Sequence, residues 1–202
     1  MPLDDLVLAA MARWPDVPAV HGWLRLDRRG RWMLVDRGAP GFDEAVHGAG
    51  SEITSPPIVD YIGRNYRADP QGRWSWQNGP QRVWVDLELA PLILRITGEA
   101  PAQRVVTHTG YPVAGIERVA ADAHGNLWLA TDLGPGCIDD RDLGALDVEV
   151  AWPDEAEDAA QTEATGASAA RPIGRLVLLG EHPVHALQTP PSLAFGFEPR
   201  PR

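Results

Sequence analysis

Lysine is absent: all 18 basic residues of this 202-residue chain are arginine. A phosphate-binding Gly-Lys-Ser/Thr loop is therefore excluded, because its lysine is the group that reaches the phosphates. Cysteine is nearly absent too. The single Cys137 rules out an internal disulfide and a cysteine-built zinc cage, and beside Ile138 it reads as a small buried hydrophobe. No apolar run approaches the ~20 residues that a membrane-spanning helix needs. The start, Met1-Pro2-Leu3-Asp4-Asp5, is acidic where a secretory signal would be basic, so the cytoplasm is the expected location. Gly-x-Gly-x-x-Gly, Gly-x-Ser-x-Gly and His-Glu-x-x-His are all missing. No cofactor, no metal and no membrane association are expected.

Positive charge is also scarce. The net charge is −10, with 11 Arg against 13 acids in residues 1–100 and 7 Arg against 15 acids in residues 101–202. Nucleic acid is excluded as a partner on that balance, since a general phosphate footprint needs a basic surface. Arg25, Arg28, Arg29 and Arg31 are locally basic, and a solvated hairpin tip accounts for them.

What the chain does have is a repeated turn cue. Asp-x-x-Gly followed by a polar residue and large apolar ones occurs at Asp27–Gly30, Asp69–Gly72 and Asp122–Gly125. Asp at the first position of a turn can accept from the turn's own backbone, and Gly at the fourth takes positive φ at no steric cost. Each copy predicts a hairpin tip with a bulge, launching a Trp- or Leu-rich strand. A shift of 54 residues also sets Asp86-Leu87-Glu88-Leu89 over Asp140-Arg141-Asp142-Leu143, with alternating apolar positions beyond.

The expected fold class is α+β, mainly β, built from two related hairpin or sheet units with one or two short helices. The N-terminal unit spans 1–100, with helices near 3–13 and 56–66. Ser55 is the expected cap of the second helix, and Ile58, Tyr61, Ile62 and Tyr66 its buried face. Strands are expected at 22–26, 31–35, 82–89 and 92–96, the last forming a hairpin with 104–108. The C-terminal unit spans 101–202 and includes an acidic, flexible stretch at 154–170. Gly134-Pro135-Gly136 reads as a rigid turn, 175–179 as a strand, and Phe195-Gly196-Phe197 as a segment docking on the core. Arg200-Pro201-Arg202 is expected to fray.

The run Gly72-Arg73-Trp74-Ser75-Trp76-Gln77-Asn78-Gly79-Pro80-Gln81-Arg82-Val83-Trp84-Val85-Asp86-Leu87, with Thr107-His108-Thr109-Gly110 and Asp139-Asp140-Arg141-Asp142-Leu143, resembles an uncharacterised proteobacterial domain-of-unknown-function family. A looser similarity runs to a second such family with a β-rich, internally repeated fold and a suggested signalling role. Neither resemblance supplies a catalytic residue.

Two functional readings follow from the residues. The first is a non-catalytic module that binds a small molecule or a protein, with regulatory or signalling use. Its candidate surface is Arg82, Trp84, Asp86 and His108. Along 82–89 the apolar residues alternate with polar ones, and Trp84 falls on the polar face between Arg82 and Asp86. Such a tryptophan marks an interaction surface, most simply a homodimer contact, unless a distant segment covers it. The alternative is a small hydrolase-like enzyme using His108 as its proton carrier with the carboxylates of Asp139–Asp142. That cluster could also suit a hard cation, but a repeated structural role at a strand end explains it as well.

Overall fold

The structure is a computed structural model that describes residues 3–99, 102–151 and 171–202. It is mainly β. The expected flexible stretch at 154–170 lies outside the described residues. Among the described residues no helix is long and apolar enough to cross a membrane.

The first sheet holds six strands. These are β1 (Val20–Leu26), β2 (Trp32–Leu34), β3 (Ser51–Glu52), β4 (Tyr66–Ala68), β5 (Trp74–Asn78) and β6 (Gln81–Leu87), in the order β3-β2-β1-β6-β5-β4. Two antiparallel meanders meet where β1 and β6 run parallel, with Leu24 beside Val85 and Leu26 beside Leu87. The second sheet holds β7 (Leu92–Thr97), β8 (Arg104–Thr107), β9 (Ile116–Ala121), β10 (Leu127–Thr131), β11 (Gly134–Ile138), β12 (Asp147–Val150), β13 (Gly174–Val177) and β14 (Glu181–Ala186). Their order is β12-β13-β14-β9-β10-β11-β7-β8. The expected unit boundary at residue 100 therefore falls between β7 and β8, two paired strands of one sheet. The chain passes from the first sheet to the second earlier, between Leu87 and Leu92.

The three Asp-x-x-Gly turns share one bonding scheme. Each glycine N–H donates to the aspartate carbonyl three residues back, at 3.0 Å in all three. In each, aspartate Oδ1 accepts the N–H two residues on (Arg29, Gln71, His124) and four residues on (Arg31, Arg73, Asn126). Oδ2 accepts from the side chain of that last residue, at 2.6, 2.8 and 2.8 Å. Gly30, Gly72 and Gly125 sit at φ +78°, +76° and +78°, where an L side chain is strained. One local rule thus builds the β1–β2, β4–β5 and β9–β10 hairpins. The longer correspondence does not persist as secondary structure: Asp86 and Leu87 end β6, whereas Asp140–Ala145 is a 3-10 turn.

Asp122 does more than the other two. Its Oδ2 also accepts the buried Trp128 indole N–H at 2.9 Å. Asp122→Ala should therefore destabilise the fold by about 3 kcal/mol, against about 1–2 kcal/mol for Asp69→Ala, because only the former strands a buried donor. Paired denaturant melts check this.

Helix α1 (Asp5–Arg13) keeps Val7 inside and leaves Leu6 exposed. It is clipped at its start to the end of a later helix: Asp4 N–H donates to Asn65 Oδ1 at 3.0 Å, and Asn65 Nδ2 donates to the Asp4 carboxylate at 3.0 Å. A four-residue helix, α2 (Glu44–His47), lies in the glycine-rich excursion after β2. Helix α3 (Pro56–Arg64) opens on two prolines, whose missing N–H groups cost nothing there. Ser55 occupies the cap position, but its hydroxyl makes no capping bond. The expected end at 66 is two residues late, because Tyr66 already begins β4; Ile62 is buried, while Ile58 is 47% exposed.

Two strands depart from expectation. Gly134-Pro135-Gly136 opens β11 rather than forming a turn, and β11 runs parallel to β7. A Cβ on Gly136 would meet Leu94 side-chain atoms at 2.8 Å, so the glycine permits close strand approach. Strand β14 contains Pro183, which suppresses its signal in the sequence. The parallel pairing with β9 starts only at Val184, so the missing Pro183 N–H interrupts no bond there. The last helix, α4 (Pro191–Phe195), ends at Gly196 in the left-handed region, and Phe197 then enters the core.

One continuous core joins the sheets. At its centre Tyr66 packs against Trp74 at 4.8 Å and edge-on to Trp32 at 4.9 Å, while its hydroxyl donates to the Pro91 carbonyl at 3.1 Å. Aromatic pairs at such distances add about 0.5–1.5 kcal/mol each beyond their buried area.

Candidate functional site

His108 follows β8 and lies against this aromatic seam, 5.2 Å from Trp32 and 5.9 Å from Tyr66. The Ile93 N–H donates to its Nδ1 at 3.2 Å, so the ring proton resides on Nε2. Nε2 is closed off from solvent and has no hydrogen-bond partner. Burial lowers the imidazole pKa from 6.5 to about 3, only partly opposed by the charge of Asp27. The residue as a whole keeps some exposed surface, but the nitrogens that would exchange a proton do not. His108 is a neutral packing residue, and it does not join Arg82, Trp84 and Asp86 on one surface.

The acidic cluster is equally committed. Asp139, 2% exposed, accepts from Arg29 Nη1 at 2.9 Å and from Arg141 through Nε and Nη2 at 2.9 and 2.5 Å. Arg29 also pairs with Asp140. Asp142 accepts from Arg95 Nε at 2.7 Å and from the Ile96 N–H at 2.9 Å, tying the 3-10 turn to β7. The Arg141 guanidinium holds the Asp139 carboxyl far below the usual range, despite burial, and Arg95 lowers Asp142 in the same way. Asp139 and Asp142 are charged struts. Arg29 reaches Asp139 from the first Asp-x-x-Gly turn, so the cluster also bolts that turn to the second sheet. Asp139→Asn should cost about 2–3 kcal/mol in a denaturant melt, as charge-assisted bonds of a buried group are lost.

Cys137 is fully buried, and burial pushes its thiol pKa well upward. Among the described residues no group of three His, Cys, Asp or Glu is arranged to hold a metal ion. Two open clefts mark the surface. One, of about 400 Å³, lies between Arg28, Glu88, Leu89, His124 and Asn126; the other, of about 500 Å³, lies beside Arg118, Thr131, Pro135 and Phe195. Neither contains His108 or the aspartate cluster.

The outer face of the first sheet is different in kind. Trp84 does lie opposite Val83 and Val85 in the strand alternation, as expected, but it is only 5% exposed. His21 of β1 stacks on it at 6.0 Å, and the guanidinium carbons of Arg73 and Arg82 sit 4.5 and 5.3 Å from its ring centre. Arginine over tryptophan in this range is a cation–π contact. The segment 197–201 crosses the same face. Glu198 N–H donates to the Gly72 carbonyl at 3.0 Å, Leu87 N–H donates to the Pro199 carbonyl at 2.8 Å, and the His21 Nδ1 lies 3.0 Å from the Pro201 carbonyl oxygen. Pro201 is buried, which corrects the expectation that the last three residues fray. Asp86 is half-buried beside them. Burial raises its carboxyl pKa, against the charges of Arg200, Arg37 and Arg202. The expected open Trp84 surface is thus covered by His21, Arg73 and Arg82, and a proline-bearing strap of the same chain is bonded beside them to Gly72, Leu87 and His21, bordering a groove along this face. Sequence alternation located the groove, and no local signal could have shown the strap, which comes from more than a hundred residues away.

Fold and site together define a mainly β, two-sheet protein whose chemistry-bearing side chains are bonded to one another. The model of family DUF2944, described as a protein of unknown function (DUF2946), matches residues 3–183, and the chain belongs to that family. Nothing among curated proteins matches it. Among solved structures it is similar to a DUF1285 family protein from Silicibacter pomeroyi DSS-3, at 16% identity and a TM-score of 0.46, over 93% of this chain and 98% of that one. It is also similar to a DUF1285 family protein from Shewanella baltica OS155, at 12% identity and a TM-score of 0.43, over 61% of this chain and 88% of that one.

Proposed function

We propose that the protein is a non-catalytic binding module whose recognition surface is the groove of Arg82, Trp84 and Asp86. The observation that carries this reading is the groove's occupant: a segment held by backbone hydrogen bonds to Gly72 and Leu87, beside a tryptophan stacked on His21 and flanked by arginines. Tryptophan and arginine are the side chains on which protein recognition concentrates. The hydrolase alternative has little to work with. His108 has spent one nitrogen on Ile93 and buried the other, and Asp139 and Asp142 are neutralised by arginines. A general base must reach a substrate proton, and none of these groups lines either cleft described above. The test is a panel of chromogenic ester, phosphate and glycoside substrates applied to the native protein and to His108→Gln. No turnover above buffer is expected from either. Turnover that disappears in a folded His108→Gln variant would establish the enzyme instead.

A further inference from the structure

We propose that the Trp84 groove recognises an extended, proline-rich, arginine-bearing segment of a partner protein, and that Pro199–Arg202 occupies it in cis as a displaceable strap. This rests on the reading of the groove as the recognition surface. The occupant itself states the chemistry. Phe197-Glu198-Pro199-Arg200-Pro201-Arg202 alternates proline with arginine, a composition that favours extended polyproline II backbone with its carbonyls turned outward. Two of those carbonyls, on Pro199 and Pro201, meet Leu87 N–H and the His21 ring nitrogen. Pro201 is buried with its carbonyl on His21, while its neighbours Arg200 and Arg202 are exposed, so the proline faces the protein and the arginines face solvent. Aromatic-lined grooves use this division when they read proline-rich segments, because the ligand is already extended and loses little entropy on docking.

Charge agrees with the assignment. Asp86 is the half-buried acid of the groove, and Arg200 and Arg202 of the strap stand near enough to act on it. A partner segment that brings cations to the same place restores the charges that Asp86 loses with the strap. The strap is also separable from the core contacts that precede it. Phe197 is 6% exposed and packs 6.1 Å from Trp128, anchoring the chain before the strap begins. Beyond that anchor the strap's hydrogen bonds to the sheets, among the described residues, are those of Glu198, Pro199 and Pro201. A tethered ligand with so few bonds opens locally, well before the sheets unfold. Its high effective concentration then sets the threshold that a partner must exceed.

The experiment compares the full chain with a variant lacking Pro199–Arg202, using a fluorescein-labelled Phe-Glu-Pro-Arg-Pro-Arg peptide and a control in which Ala replaces Pro and Glu replaces Arg. The shortened variant should bind the first peptide at least tenfold more tightly than the full chain does, and the control at least tenfold more weakly than the first. Trp84→Leu in the shortened variant should abolish the difference between peptides. A shortened variant that melts cooperatively yet does not distinguish the peptides overturns the proposal, while the substrate panel still decides separately whether the protein is an enzyme. Amide exchange on the full chain gives an independent answer should the shortened variant not fold. The Leu87 and Glu198 amides should exchange together, at least tenfold faster than the β5–β6 ladder; exchange only by global unfolding would mean that the strap never opens, and overturns the proposal. A full-length dimer that dissociates on removal of Pro199–Arg202 would also overturn it, assigning the groove to a second copy of the chain.

Discussion

Alanine substituted at Gly30, Gly72 and Gly125 should give three unequal losses of stability, although the three turns are the same. Each glycine has φ between +76° and +78°, so each substitution carries a left-handed strain of about 1 kcal/mol. Gly125 has nothing within 4 Å of an added Cβ, and its loss should stop there. At Gly30 the added carbon would lie 2.6 Å from His108 Cβ, where the first turn presses on the aromatic seam. At Gly72 it would fall on the Gly196 backbone carbonyl, which no side-chain movement can relieve. Both should cost about 3 kcal/mol or more, since overpacking a fixed neighbour adds to the strain. Gly72→Ala should also free the strap by pushing away the chain that leads into it. Urea melts of the three variants decide the matter, and equal losses would mean that turn geometry alone sets the cost.

Acidification should destabilise the protein in two separate windows. His108 has an unfolded-state pKa near 6.5 and a folded-state value of about 3. The unfolded chain therefore binds the proton first, and the contribution is complete above pH 6.5 and lost as pH falls toward 3. The loss from this residue reaches about 2 kcal/mol at pH 5 and about 3 kcal/mol at pH 4, at 1.36 kcal/mol per pK unit. The aspartates act lower. Burial opposes the charge on Asp69 and Asp122, but bonds from Arg73, Asn126 and Trp128 outweigh it and lower both pKa values. Arg141 and Arg95 lower Asp139 and Asp142. A carboxyl whose folded pKa is depressed contributes above its unfolded value near 4 and loses that contribution below it. Both windows have the same sign, and only the first belongs to His108. In His108→Phe the slope between pH 6.5 and 5 should flatten, while the fall below pH 4 remains. A slope unchanged in that variant would place the upper titration elsewhere.

How much of this was legible in the sequence depends on range. The Asp-x-x-Gly turns were readable because the bonds the three share are all within four residues, and the β1–β2 hairpin and the alternation along β6 are local as well. Strands β11 and β14 were hidden because Gly134, Pro135, Gly136 and Pro183 carry turn or breaker signals. Their neighbours override them: β7 needs the glycine at 136, and β14 has no parallel partner at Pro183. Residue 100 falls between the paired strands β7 and β8, and strand pairing, not composition, decides which sheet a segment joins. The candidate site was half legible. The face of Trp84 follows from the alternation, but its cover and its arginine companion Arg73 come from elsewhere in the fold. Asp139 looked available because one of its two arginine partners, Arg29, lies 110 residues earlier. His108 looked polar and peripheral, and only the approach of Gly30 and Trp32 makes it core.

The groups of this protein best suited to chemistry serve its structure, with His108 foremost among them. Long-range ¹H–¹⁵N correlation of the histidine rings between pH 8 and 5 tests it directly. His108 should show one neutral form throughout, with the proton on Nε2, slow solvent exchange and no titration in that range. A His108 ring that titrates near pH 6.5, or exchanges its proton rapidly with water, would contradict the account and restore the enzyme reading.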